Sequence, residues 1–146
     1  MLVRETNRRA SAVTRVPDES LLIELYHPTI EGARRALKRW YHAQAVRWLT
    51  ERAEVFSILL GVSWKRLTVR DQRSRWGSCT AAGTLSFNYR LVMAPPAVLD
   101  YVVMHELAHR WQLNHSARFW ALMARHCPSY RESVTWLKAY GPFLTL

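Results

Sequence analysis

Two histidines four residues apart, with a glutamate after the first, form the segment His105-Glu106-Leu107-Ala108-His109. On a helix, positions i and i+4 lie one above the other on the same face. His105 and His109 can therefore offer two imidazole nitrogens to one metal ion at about 2 Å each. Glu106 stands beside the first of them, within reach of a water whose acidity the cation would raise. This spacing predicts metal-assisted hydrolysis, with one Zn2+ per chain and Glu106 as the catalytic base.

A catalytic zinc takes a third protein ligand and keeps its fourth position open. His115 is the first candidate. Were the helix to continue, His115 would point about 120° away from His109, so the chain must turn back before it. Asn114 suits a left-handed helix end, and the reading places the helix end near Leu113 with the reversal at Asn114. Ser116 can cap a following helix that Phe119 and Trp120 pin into the core. His126, beside Cys127, is a rival third ligand; its other reading is a cap at the negative end of a helix. His27 and His42 have no ligand-like neighbours in sequence.

These residues need a frame. Residues 1–20 read as a basic N-terminal arm, disordered or a short leading strand, ending in the turn-like Val16-Pro17-Asp18-Glu19. Residues 21–146 read as one domain. Residues 21–25 suggest a strand, and 31–60 a helix, with Ala36, Trp40, Ala43, Val46, Leu49 and Ala53 at helical spacing. Gly61 is a natural stop. Strands are expected at 67–69 and 84–88, joined by an arginine-rich loop over 70–83. Pro95 and Pro96 open the helix that carries the histidines, with Asp100 expected in its first turn. Short helices follow at 117–125 and 130–139. Without regular strand-helix alternation, the order argues for an α+β domain whose small, mostly antiparallel sheet packs on helices.

Composition excludes some classes. The chain has 146 residues, 49% of them apolar, enough to bury a core without staples. No stretch approaches a membrane span. Met1-Leu2-Val3-Arg4-Glu5 opens no apolar signal segment, so the expected compartment is the cytoplasm. Cys79 and Cys127 read as reduced, buried thiols; Cys79 as a fourth, silencing zinc ligand is the alternative. The net charge of +10, almost wholly from arginine, suits polyanions such as nucleic acid, or is a solvated basic surface.

Several motifs occur in one order: Arg75-Trp76-Gly77-Ser78-Cys79, then Leu85, Phe87, Asn88 and Leu91, then Pro95-Pro96. They continue with Asp100-Tyr101-Val102-Val103, His105-Glu106-Leu107-Ala108-His109 and Asn114-His115-Ser116 followed by Phe119-Trp120. In these the chain resembles the YgjP-like metallopeptidases, relatives of the WLM and SprT-like zincins. The resemblance implies a zincin-like fold, in which a sheet edge above the metal helix pairs with an extended peptide. It implies His105, His109 and His115 as metal ligands and Glu106 as base.

Arg75, Ser78 and Asn88 are the substrate-binding candidates, although Arg75 to Cys79 also reads as a tight turn with Gly77 in an unusual conformation. Arg75, Tyr89 and Tyr101 are candidates for oxyanion stabilisation. Arg110 and Trp111, where the family usually has an aliphatic position, are expected at the mouth of the site. Three functions follow: a zinc peptidase acting on a peptide or protein, a metal-dependent hydrolase of a nucleotide or other phosphate, or a basic nucleic-acid-associated protein.

Overall fold

The computed structural model describes residues 2–6, 11–16, 20–26 and 29–146. The expected turn at Pro17-Asp18-Glu19 and the side chain of His27 lie outside them. The chain divides into two compact units, residues 1–43 with Leu146 and residues 44–145. The division falls inside one long helix, α1 (Ile30–Leu60).

In the first unit, strands β1 (Leu2–Glu5), β2 (Ala12–Arg15) and β3 (Leu21–Leu25) form a sheet in the order β1-β3-β2. Here β1 runs parallel and β2 antiparallel to β3. Ile23 and Leu25 alternate inward and pack with Ala36, Ala33 and Leu37 of α1 and with Val13.

The second unit holds the site. The α1 residues buried there are Ala45, Leu49, Ala53, Phe56 and Leu60. The expected stripe through Ala43 and Val46 is thus displaced: Ala45 is in phase with Leu49 and Phe56 at steps of three and four, and Val46 is left 42% exposed. Gly61 ends the helix at φ +63, a conformation that favours glycine.

Strands β4 (Arg66–Arg70), β5 (Gly77–Cys79) and β6 (Thr84–Asn88) follow, in the order β4-β6-β5. β4 is parallel and β5 antiparallel to β6. The α+β class therefore holds, with two small sheets, each mixed, where a single mostly antiparallel one was expected. β5 lies within the stretch expected to be loop, and it is an edge of its sheet.

A 3₁₀ turn, Tyr89–Met93, leads through Pro95 into α2 (Pro96–Ala108). Almost every side of α2 is buried, from Val98 to Ala108, which makes it the core helix of this unit. Asp100 lies beyond its first turn and has another use: it receives two 2.7 Å hydrogen bonds from the Arg52 guanidinium of α1. Such forked pairs are among the stronger charge-assisted bonds. Helices α3 (Ala117–His126) and α4 (Tyr130–Tyr140) and a short 3₁₀ turn, Gly141–Phe143, complete the unit.

Candidate active site

The helix carrying the histidines ends at Ala108, about five residues earlier than its sequence suggested, and His109 is its C-cap. Two side chains draw the chain away. Arg110 donates from Nε to the Ser63 carbonyl at 2.9 Å and from Nη1 to the Ala81 carbonyl at 2.6 Å. Trp111 donates from Nε1 to the Leu60 carbonyl at 2.9 Å. Both residues fasten the chain to the end of α1 and to the β5–β6 turn. The reversal begins at His109, ahead of Asn114.

This early end creates a partner for His109. The Gln112 carbonyl curls back to 2.9 Å from His109 Nδ1, which must donate to it, leaving Nε2 with its lone pair free. His105 is held similarly, with Nδ1 3.3 Å from the Tyr101 hydroxyl one turn earlier. Tyr101 is buried and burial pushes its phenol up to about 12, so it stays neutral and steadies His105. Tyr89, another oxyanion candidate, is only 2% exposed and lies beneath the Arg90 guanidinium.

His115 arrives from the loop before α3. Ser116 caps that helix by accepting from the Phe119 amide, as its sequence predicted. Phe119 is fully buried, and its ring lies within 5 Å of those of His105, His109 and His115. Trp120 stacks on His115 at 5.8 Å and 24°, and Tyr130 stacks on Trp120 at 5.3 Å and 24°. The exposed third histidine is thereby fixed by rings on α3 and α4.

The result is one converging group. A nitrogen from each of His105, His109 and His115 lies within 4.8 Å of the others, and the Nε2 atoms of His105 and His115 are 2.9 Å apart. A tetrahedral ion with metal–nitrogen bonds of about 2 Å would need its ligand nitrogens about 3.3 Å apart, so small side-chain shifts suffice. The charge state agrees. Burial, then His109 and His115, lower His105 to about 3, and burial lowers His109, so both present neutral lone pairs near pH 7. Three imidazoles facing one point, two of them held neutral by burial, fit a cation. His126, on the last turn of α3, and Cys79 are outside this group among the described residues. Burial also raises the Cys79 thiol, which disfavours the thiolate a metal needs.

Glu106 is 7% exposed, and its carboxylate makes no hydrogen bond or ion pair among the described residues. Burial lifts it to about 7, with the Arg75 charge opposing. Its neighbour is Gly77 on β5. A Cβ there would lie 2.7 Å from Glu106 Cγ and 2.8 Å from Oε1. Gly77 is thus required by close approach; the unusual backbone angle expected of it is absent, since the positive-φ glycines are Gly61 and Gly83.

Side chains alternate along a strand, so Cys79 shares the Gly77 face while Ser78 points the other way, paired in register with Ser86. The Ser78 hydroxyl therefore does not face Glu106. Asn88, the third substrate-binding candidate, is buried, and its amide is spent locally. Nδ2 donates to the Gln72 carbonyl at 2.6 Å and the Arg75 carbonyl at 3.5 Å, and Oδ1 accepts from the Arg90 amide at 3.1 Å. Of the three, Arg75 alone is exposed with its charge felt at Glu106.

The comparison with known families agrees with this geometry. The model of the YgjP-like metallopeptidase domain matches residues 2–140. The chain belongs to the YgjP-like family. It is accordingly a metallopeptidase, with a metal ion for its chemistry and peptides or proteins as substrates. No curated protein matches in sequence.

Among solved structures, the metallopeptidase zymogen of Pyrococcus abyssi abylysin is similar with a TM-score of 0.53 and 20% identity. That match covers 58% of this chain and 87% of that one. The metallopeptidase zymogen of Methanocaldococcus jannaschii jannalysin gives a TM-score of 0.51 and 18% identity over 60% and 93%. These likenesses establish the zincin-like fold of this YgjP-like chain. Among its described residues no helix is long and apolar enough to cross a membrane.

Proposed function

We propose that this YgjP-like protein is a zinc peptidase in which His105, His109 and His115 hold the ion and Glu106 is the general base. The observation that carries this reading is the convergence of three imidazoles within 4.8 Å, next to a buried carboxylate that has no other partner among the described residues. The three-nitrogen set suits zinc and leaves a fourth position for water or substrate. Zinc, when bound, would polarise the substrate carbonyl and acidify water.

The chain's own residues supply the rest. Glu106, raised to about 7, takes a proton from water near neutral pH and returns it to the departing nitrogen. Among the described residues no strand pairs with the outer edge of β5, so an extended peptide can pair along it and bring its backbone over Glu106. Arg75 stands at the start of that edge.

The test is metal analysis together with two assays. About one zinc per chain is expected, lost in His105→Ala and His109→Ala and kept in Glu106→Gln. Casein and nucleoside triphosphates are each incubated with wild type and Glu106→Gln, following peptide and phosphate release. Peptide release by wild type, lower by several orders of magnitude in Glu106→Gln, supports the reading. Phosphate release in its place, or undiminished turnover by Glu106→Gln, overturns it.

A further inference from the structure

We propose that Arg73 and Arg75 form a preorganised cationic lip beside β5 that selects peptides carrying acidic side chains next to the bond to be cut. The inference rests on the peptidase reading above and names its substrate class.

The segment 71–75 leads directly into β5, whose Gly77 touches Glu106. Its shape is imposed from beneath. Buried Asn88 spends its side-chain amide on the Gln72 and Arg75 carbonyls, and Arg90 Nη1 adds a 3.3 Å bond to the Gln72 carbonyl. Arg90 also pairs with Asp71 at 2.6 Å. The single acid of the segment is thus neutralised internally. Arg73 and Arg75 are both exposed, and neither makes an ion pair or side-chain hydrogen bond among the described residues. Holding a loop through a buried asparagine, with two arginines left pointing outward and unpaired, goes beyond what a solvated surface requires.

The chemistry of these groups selects the ligand. A guanidinium offers a planar fork of donors that matches a carboxylate, and no side-chain entropy need be spent on breaking an existing pair. The outer edge of β5 beside the lip, unpaired among the described strands, offers backbone donors and acceptors that an extended peptide can use. Single-stranded nucleic acid would need open aromatic faces for its bases. Trp76, next to Arg75, is half-buried with its ring against Gly141, and Trp120 already lies between His115 and Tyr130. The geometry favours an acidic peptide.

The experiment is a binding titration on the zinc-loaded Glu106→Gln protein, using labelled peptides that share a centre and are flanked by Glu, Gln or Lys. The Glu peptide is expected to bind at least about ten-fold more tightly than the Gln peptide at low salt, with the Lys peptide weakest. The double variant Arg73→Gln/Arg75→Gln should erase that preference. Arg47→Gln/Arg66→Gln, with the same loss of charge at exposed positions elsewhere, should keep it. Equal binding of the Glu and Gln peptides, no binding of either, or equal displacement by an oligonucleotide of matched charge overturns the lip. The wild-type protein separates the two readings. Cleavage of the Glu and Gln peptides at equal kcat/KM removes the lip and spares the peptidase, whereas preferential binding of a Glu peptide that is never cut removes the peptidase and leaves the charge recognition standing.

Discussion

Gly77 and Glu106 are in direct contact, the backbone of an edge strand lying against the side chain of the proposed base. With no Cβ at position 77, the carboxylate can sit beneath the strand along which a peptide would pair. Glu106 is 7% exposed and has little room to retreat.

Gly77→Ala is therefore expected to damage catalysis more than folding. Adding a methyl to a packed site costs about 1–3 kcal/mol in stability. The displaced carboxylate should lower kcat by about 100-fold or more, since a small misplacement of a catalytic group is that costly. Thermal unfolding and peptide turnover on the same preparation check this, and an unchanged kcat would dissociate Gly77 from the placement of Glu106.

How much of this was legible in the sequence follows from which contacts are local. The spacing of His105 and His109, the capping by Ser116 and the pinning role of Phe119 and Trp120 lie within short segments, and each was readable. The end of the histidine helix was not, because Arg110 and Trp111 are acceptable helix residues. Their side chains are captured by carbonyls at Ser63, Ala81 and Leu60, far away in sequence. β5 escaped notice for a similar reason: three residues are too few to show alternation, and only pairing with β6 makes Gly77-Ser78-Cys79 a strand. That Asn88 is buried with its amide engaged locally, and that Ser78 faces away from Glu106, are matters of facing and burial, which no residue type discloses.

His115 and His126 offer a clear contrast. His115→Ala should weaken zinc binding by at least about 100-fold, because one of the three proposed ligands is lost, while His126→Ala should leave it within about two-fold. Competition against a chromogenic chelator measures both. Loss of zinc in His126→Ala with retention in His115→Ala would overturn the ligand set.

Tyr101→Phe removes one oxygen from a buried ring and keeps its packing. The Tyr101 hydroxyl is the partner of His105 Nδ1, so zinc affinity should fall by about 10-fold, in the range typical of groups that orient a ligand. Unfolding of the metal-free variant should change little by comparison. The same chelator titration, run beside a metal-free melt, separates the two effects.

Stability of the metal-free protein should carry the signature of Glu106. Its carboxyl is raised from 4.5 in the free residue to about 7 by burial, so the fold favours the protonated form. That contribution is fully present below pH 4.5 and is lost as pH rises through 7. Each pH unit between those two values removes about 1.4 kcal/mol of it. Relative to Glu106→Gln, wild type should thus lose about 2–3 kcal/mol between about pH 5 and pH 8. The depressed histidines act in the opposite sense at low pH but are common to both proteins. Denaturant unfolding of both at the two pH values is the check, and parallel curves would contradict the burial of an isolated carboxyl.

The stack that joins His115 to Trp120 and Trp120 to Tyr130 gives the protein an optical consequence. An indole in van der Waals contact with an imidazole is quenched when that imidazole is protonated and responds again when its nitrogen lone pair is drawn to a cation. Trp120 lies against the third histidine, so its emission is a built-in gauge of whether that histidine is engaged. Loading and stripping of the site can then be followed in the unlabelled protein, in real time, as the change Trp120 contributes to the emission of seven tryptophans.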